Sequence, residues 1–281
     1  MTLADLVRLA LEEDVGPGDV TTESTVPDGT SGRARVYAKQ DLIVCGHGPA
    51  AEVFRQLGAR WEVVVPDGAK VGPGTTVGRA EGPTRALITG ERVALNFLMR
   101  LSGIATHTAS VVGTAAGLRV LDTRKTTPLH RALEKQAVRC GGAFNHRGAL
   151  YDGVLIKDNH VVAAGGVSEA VHAARSAAHH LLRIECEVES LDELREALEA
   201  GADAILLDNM DDETLAAAIV INNGTTRRSG PAWVEASGNM TGPRIEGLQR
   251  LLLSRGLHLD AVSMGGLIHQ ARWADLSMRL E

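Results

Sequence analysis

Residues 183–208 read RIECEVESLDELREALEAGADAILLD. The two ends of this stretch, RIECEVE (183–189) and AILLD (204–208), are short and rich in apolar residues. The middle, SLDELREALEAG (190–201), spaces its apolar residues as an amphipathic helix does. A strand, a helix and a second strand in this order predict parallel strands covered by helices. Four more segments have the strand character: LRVLD (118–122), GVLIK (153–157), AWVEAS (232–237) and AVSMG (261–265). SEAVHAARSAAHH (168–180) and MDDETLAAAI (210–219) supply further helices between them. Six such strands predict an irregular α/β barrel over residues 113–281.

The first half has another rhythm. Residues 3–13 read as an amphipathic helix that GPGD at 16–19 ends. RARVYA (33–38) and LIVC (42–45) read as strands, 49–58 as a helix and WEVVV (61–65) as extended chain. A turn at Pro66-Asp67-Gly68 follows, and then a glycine-rich strand within 71–82. A long helix is expected from about Thr84 to Ala116, with a break at Ser102-Gly103. Residues 1–112 are therefore read as a mixed α+β domain with a long connecting helix. The C-terminal tail is free to return to it.

With 281 residues, 44% of them hydrophobic, the chain can fill one large core or two modest ones. A formal net charge of −6 argues against a general nucleic-acid or membrane-surface binder. No apolar run approaches the length that spans a bilayer. The N-terminal segment carries acids where a signal peptide needs a basic start. Cys45, Cys140 and Cys186 are too sparse for a disulfide framework or a zinc site, and a reducing, cytoplasmic setting fits them. Cys140 and Cys186 are expected to be buried, inert thiols. GHGPAA at 46–51 matches a dinucleotide-binding fingerprint, but no βαβ repeats follow it, so an oxidoreductase is not expected.

Against this acidic background, residues 122–160 gather seven Lys/Arg and three His. The six strands also end in polar groups: Asp122 followed by Thr-Arg-Lys, Lys157, Glu187 and Glu189, Asp208, Ser237-Gly238, and Ser263-Met264-Gly265. One such end is ordinary edge polarity. Six together, at the end where parallel barrels carry their active sites, predict a site. Arg and Lys bind carboxylates and phosphates. Two acids on neighbouring strands suit Mg²⁺. Ser-Gly ahead of a helix, as in EASG (235–238) and SMGG (263–266), offers backbone N–H groups to a phosphate. The types together point to a phosphorylated polyanion, with or without Mg²⁺, and an anionic second substrate.

The motifs GDVTT (18–22), ERVALNFLMRLSGIAT (91–106), DTRKTTP (122–128), EKQAVRCGG (134–142), NHR (145–147), LIKDNH (155–160), ECEVE (185–189), LLDNM (206–210), EASG and SMGGLIH (263–269) occur in this order. In them the chain resembles the quinolinate phosphoribosyltransferases, also called decarboxylating nicotinate-nucleotide pyrophosphorylases. The resemblance implies transfer of phosphoribosyl from phosphoribosyl pyrophosphate to quinolinate, with decarboxylation to nicotinate mononucleotide, in NAD biosynthesis. It implies an N-terminal open α/β sandwich, an incomplete α/β barrel, and a homodimer or dimer-based hexamer with shared sites.

Residue by residue, the resemblance puts Arg124, Arg147 and Lys157, with Arg92 from a partner subunit, on the carboxylates of quinolinate. Lys125 and His146 line the same pocket. Glu187 and Asp208 face the ribose and the Mg²⁺-pyrophosphate. Ser237, Gly238 and Gly265 grip the 5′-phosphate, with Asn239 in the same loop and His269 nearby. Lys125, Lys157, Glu187 and Asp208 are the expected catalytic set, with Mg²⁺ and no organic cofactor. His160 is open to an orienting or a catalytic role.

Leu129, Ala143 and Asn239 stand where the family pattern has glycine. Asn tolerates positive φ better than Leu does. Residues 221–231, INNGTTRRSGP, are expected to form a mobile loop. Two other readings share the scaffold: a paralogue with another acceptor, of the molybdenum-transport-associated type, and a non-catalytic binding homologue. The full TRKTTP, NHR and KDNH set favours the quinolinate enzyme, and the intact charged set argues against an inactive protein.

Overall fold

The computed structural model describes residues 1–115, 117–226 and 230–281. In chain order it begins with α1 (Leu3–Val15), α2 (Val20–Thr25), β1 (Ser31–Ala38), β2 (Leu42–Ile43), α3 (His47–Gln56), β3 (Arg60–Val63), β4 (Lys70–Val71), β5 (Thr76–Pro83) and α4 (Thr84–Thr114). Next come β6 (Arg119–Leu121), α5 (Arg131–Cys140), β7 (Val154–Ile156), α6 (Asp158–Ala164), α7 (Val167–Ala177), β8 (Ile184–Val188), α8 (Leu191–Glu199) and β9 (Ala204–Asp208). The chain ends with α9 (Asp212–Gly224), β10 (Trp233–Ser237), α10 (Gly242–Ser254), β11 (Ala261–Ser263), α11 (Gly266–His269) and β12 (Leu276–Leu280).

Two compact units share these elements. One holds residues 1–109, 126–142 and 267–281, and the other 110–125 and 143–266. The sequence reading divides the chain once, after residue 112, whereas the units divide it at four points.

The first unit is built on an antiparallel sheet in the order β12-β1-β5-β3. Alternation along β1 buries Ala34, Val36 and Ala38 in one core with Val53, Phe54, Leu87 and Leu98. α1 starts at Thr2, whose hydroxyl accepts from the N–H of Asp5 while the Asp5 carboxylate accepts from the N–H of Thr2. α4 is unbroken through Ser102-Gly103, contrary to expectation. Ser102 is buried, and its hydroxyl accepts from Cys45 N–H and donates to Cys45 C=O, at 3.0 Å each. A Cβ on Gly103 would lie 2.0 Å from the carbonyl oxygen of Arg272. The glycine serves close backbone approach, not a break.

The second unit is a six-stranded, wholly parallel sheet in the order β6-β11-β10-β9-β8-β7. Among the described residues β6 and β7 do not pair with each other, so the barrel stays open on that side. Helices follow the strands, and each of three starts on a cap: Ser190 accepts from Glu193 N–H, Asp211 from Thr214 N–H, and Thr241 from Arg244 N–H. α9 runs through Gly224 and so takes in the start of the expected 221–231 loop. Asn222 is why: buried, it donates to Ala232 C=O and accepts from Ala232 N–H, both at 2.9 Å. Residues 227–229 of that stretch lie outside the described residues. Among the described residues no helix is long and apolar enough to cross a membrane. Cys186 is buried as expected, whereas Cys140 is partly exposed because it ends α5 at the unit's surface.

Candidate active site

All six parallel strands of the second unit point their C-terminal ends at one cavity of about 330 Å³. Thr123, Arg124 and Lys125 reach it from beyond β6, Lys157 from beyond β7, Glu187 from β8, Asp208 from β9, Ser237 from β10 and Ser263 from β11. His146 and Arg147 enter from the segment ahead of β7. Eight residues predicted from sequence thus meet here: Arg124, Lys125, His146, Arg147, Lys157, Glu187, Asp208 and Ser237. Gly238, Asn239 and Gly265 sit on the following loops without lining the cavity. Arg92 and His269 belong to the first unit, exposed on α4 and at the end of α11.

The cationic wall is organised by acids that the sequence reading did not count among the site residues, although it named Asp122 as a strand end. Asp122, fully buried, accepts from Asn145 Nδ2 at 2.6 Å and from His146 N–H at 2.9 Å, which fixes the Asn-His-Arg segment. His146 Nδ1 accepts from Arg147 N–H at 2.8 Å, so the ring proton sits on Nε2 and is donated to Glu185 Oε2 at 3.0 Å. Glu235 Oε2 lies 3.8 Å from the same nitrogen. Burial pushes the Glu235 carboxyl up to about 7, repulsion from Glu185 adds to the rise, and His146, Ser263 and Lys157 oppose it. Burial, and then repulsion from Arg124, lowers the Arg147 guanidinium, while Glu185 partly restores it. The two arginines press on each other's charge, which an anionic ligand relieves. Alternation could have revealed Glu185 and Glu235: each stands two residues ahead of a site residue, Glu187 and Ser237, on the same strand face.

Lys157 and Glu187 form an ion pair. Asp208 accepts from Asn209 Nδ2 at 2.7 Å, and Asn209 N–H donates to Ser237 C=O at 3.1 Å. The latter bond ties the β9 and β10 ends together. His160 Nδ1 accepts from Lys157 N–H at 2.9 Å, at the start of α6. The loop after Ser237 needs its glycine. Gly238 has φ +86°, and a Cβ there would meet Asn209 Oδ1 at 2.2 Å. Asn239 holds the left-handed φ of 51° expected of a glycine replacement, with its amide 3.4 Å from Asn209 Oδ1. Arg244 braces the loop by donating to Gly238 C=O at 2.8 Å and to Met210 C=O at 2.7 Å.

Residues 19–102 match the N-terminal domain of quinolinate phosphoribosyl transferase, and residues 104–279 match its C-terminal domain. The chain belongs to the quinolinate phosphoribosyltransferase family. Among curated relatives, the probable nicotinate-nucleotide pyrophosphorylase [carboxylating] of Bacillus subtilis is 39% identical over 99% of this chain and 93% of its own. The nicotinate-nucleotide pyrophosphorylase [carboxylating] of Homo sapiens is 40% identical over 100% of this chain and 92% of its own. The crystal structure of NadC from Streptococcus pyogenes superposes with a TM-score of 0.89 at 38% identity, covering 99% of this chain and 96% of that one. The separate antiparallel-sheet unit and the open parallel barrel are thus the architecture of quinolinate phosphoribosyltransferases.

Proposed function

We propose that this chain transfers the phosphoribosyl group of phosphoribosyl pyrophosphate to quinolinate and releases CO₂, giving nicotinate mononucleotide and pyrophosphate for NAD biosynthesis. The observation that carries the reading is the polarity of the cavity: Arg124, Lys125, Arg147 and Lys157 share it with Glu187 and Asp208. Fixed cations suit the two adjacent carboxylates of quinolinate, and a planar guanidinium holds a carboxylate bidentately. The label "[carboxylating]" on the relatives names the same bond change read in reverse.

The pyridine nitrogen attacks C1 of the ribose as pyrophosphate leaves. Glu187 and Asp208 stabilise the positive charge that develops on the ribose ring. The N-ribosylated ring is a pyridinium, and it accepts the electron pair left at C2 when the neighbouring carboxylate departs as CO₂. A proton from solvent then fills that position. Positioning and charge complementarity supply the rate, without a covalent enzyme intermediate. The carboxylate of quinolinate competes with Glu187 for Lys157, which frees Glu187 for the ribose side.

The donor set fits Mg²⁺. Glu187 and Asp208 are hard oxygen donors on neighbouring strands, each engaged through one oxygen among the described residues, and Mg²⁺ is usually held by one or two carboxylates plus phosphate oxygens. When bound, Mg²⁺ would neutralise the leaving pyrophosphate, directly or through water. Ser237, Gly238, Asn239 and Gly265 would receive the 5′-phosphate. The reading includes a cytoplasmic homodimer or dimer-based hexamer in which Arg92 serves the partner's site.

Binding titration separates this reading from a paralogue that takes another acceptor. Quinolinate should bind at least about tenfold tighter than nicotinate, which lacks one carboxylate, and K157A should erase most of that difference. Equal affinity for the two acids in the native chain would contradict the reading.

A further inference from the structure

Two of the three cysteines meet in the first unit. Cys45 lies just ahead of α3, and Cys140 is the last residue of α5. Their sulfurs and a carboxylate oxygen of Asp67 all lie within 4.8 Å of one another. Cys45 is buried, and Cys140 is partly open to solvent.

The surroundings do not favour a metal. Asp67 Oδ1 already accepts from the N–H groups of Gly46 and His47, at 3.1 and 3.4 Å, and Oδ2 accepts from Gln136 Nε2 at 3.4 Å. His47 has no nitrogen to offer: Nδ1 accepts from Trp61 Nε1 at 3.2 Å, and Nε2 donates to Val65 C=O at 2.7 Å. Two thiols remain, well short of a closed tetrahedral site. What they do form is a pair of unlike members, one reachable and one enclosed, already close together.

We propose that Cys45 and Cys140 are a redox-modification site for peroxide-class oxidants, in which Cys140 attacks the peroxide and Cys45 then closes an intrachain disulfide. The neighbouring Cys45 thiol lowers the Cys140 value, and Arg139 helps, against burial and the charge of Asp67. The same neighbour relation raises Cys45, and its burial raises it further, so Cys140 loses its proton first. In the first step the Cys140 thiolate attacks one peroxide oxygen. The O–O bond breaks, a sulfenic acid forms, and hydroxide leaves to be protonated to water. In the second step the Cys45 sulfur attacks the sulfenic sulfur. The S–S bond forms, the S–O bond breaks, and the departing hydroxide takes the proton of Cys45. Two thiols lose two electrons and two protons, and one peroxide becomes two waters. An exposed, low-pKa thiol beside a second cysteine is the arrangement that redox sensors use.

Cys186 is an internal control. It is buried in β8, and burial with the nearby carboxylates of Glu193 and Glu187 pushes it up to about 12.

The test is peptide mapping of the full native chain after hydrogen peroxide treatment, alkylation and digestion. The expected result is a Cys45–Cys140 crosslinked peptide within single chains, reversed by dithiothreitol, with Cys186 still a free thiol. In C45A, dimedone should trap a sulfenic acid on Cys140. In C140A, Cys45 should stay reduced. Because the crosslink is read in the native chain, a poorly folding variant leaves the test intact. Three thiols oxidised alike, crosslinks only between chains, or no crosslink at peroxide levels that exhaust Cys140 would each overturn the proposal.

Discussion

Leu129 holds φ at 68° with its side chain 67% exposed. An L-residue in that region carries about 1–2 kcal/mol of strain, and an exposed side chain has no burial to offset it. L129G should therefore raise stability by roughly 0.5–1 kcal/mol, a melting-point gain of a few degrees, net of the entropy glycine adds to the unfolded chain. A melt that falls would show that the left-handed turn is not strained. Asn239 has a similar φ, 51°, but tolerates it and bonds Asn209, so N239G should be near neutral.

Glu235 makes the second prediction at this scale. Its folded value, about 7, lies above the ordinary 4.5. The folded state thus binds this proton more tightly than the unfolded state. The associated stability is fully present below pH 4.5 and is lost as pH rises to about 7, on the order of 3 kcal/mol in all. In denaturant melts across that window, E235Q should remove this fall. Parallel pH profiles for the two proteins would refute the assignment. The cation cluster at 122–160 was legible because it stands out in an acidic chain, and the family resemblance singled out Arg124, Arg147 and Lys157 within it. Glu235 was not, because AWVEAS reads as a buried strand with one tolerated acid. Alternation with Ser237 puts it on the site face of β10, and the structure shows that it faces His146.

Among the elements, the parallel strands and their helices were legible because apolar runs and helical spacing are local signals. The long helix was half legible. Ser-Gly at 102–103 mimics a break, since local sequence does not record that Cys45 and Arg272 pack against those residues. G103A tests this. Its Cβ would meet the Arg272 carbonyl at 2.0 Å, so the variant should lose about 2–4 kcal/mol while retaining native helicity once folded. An unchanged melting temperature would mean the backbones do not approach closely. The start of the expected loop at 221 became helix for a similar reason: Asn222 bonds Ala232, ten residues later.

At the scale of the whole molecule, the strand-end pattern foretold the site because a parallel sheet brings its C-terminal ends to one side. The division into units was less legible. β12 pairs with β1 across more than two hundred residues, from Ala34 with Leu280 to Ala38 with Leu276, and sequence spacing carries no trace of that register. The proposed shared site has its own prediction. R92A and R124A should each be inactive alone. Co-assembled, they should recover about a quarter of native activity, because half the dimers are mixed and each has one intact site. No recovery from verified mixed dimers would place Arg92 outside the partner's site.

The central claim is tested most directly by turnover. The purified chain is mixed with quinolinate, phosphoribosyl pyrophosphate and Mg²⁺, and nicotinate mononucleotide and CO₂ are followed together, with nicotinate replacing quinolinate as control. The account predicts equal amounts of nucleotide and CO₂ from quinolinate, and neither from nicotinate or after the metal is chelated. Nucleotide formed from nicotinate, or a folded protein that makes no product from quinolinate, would contradict it.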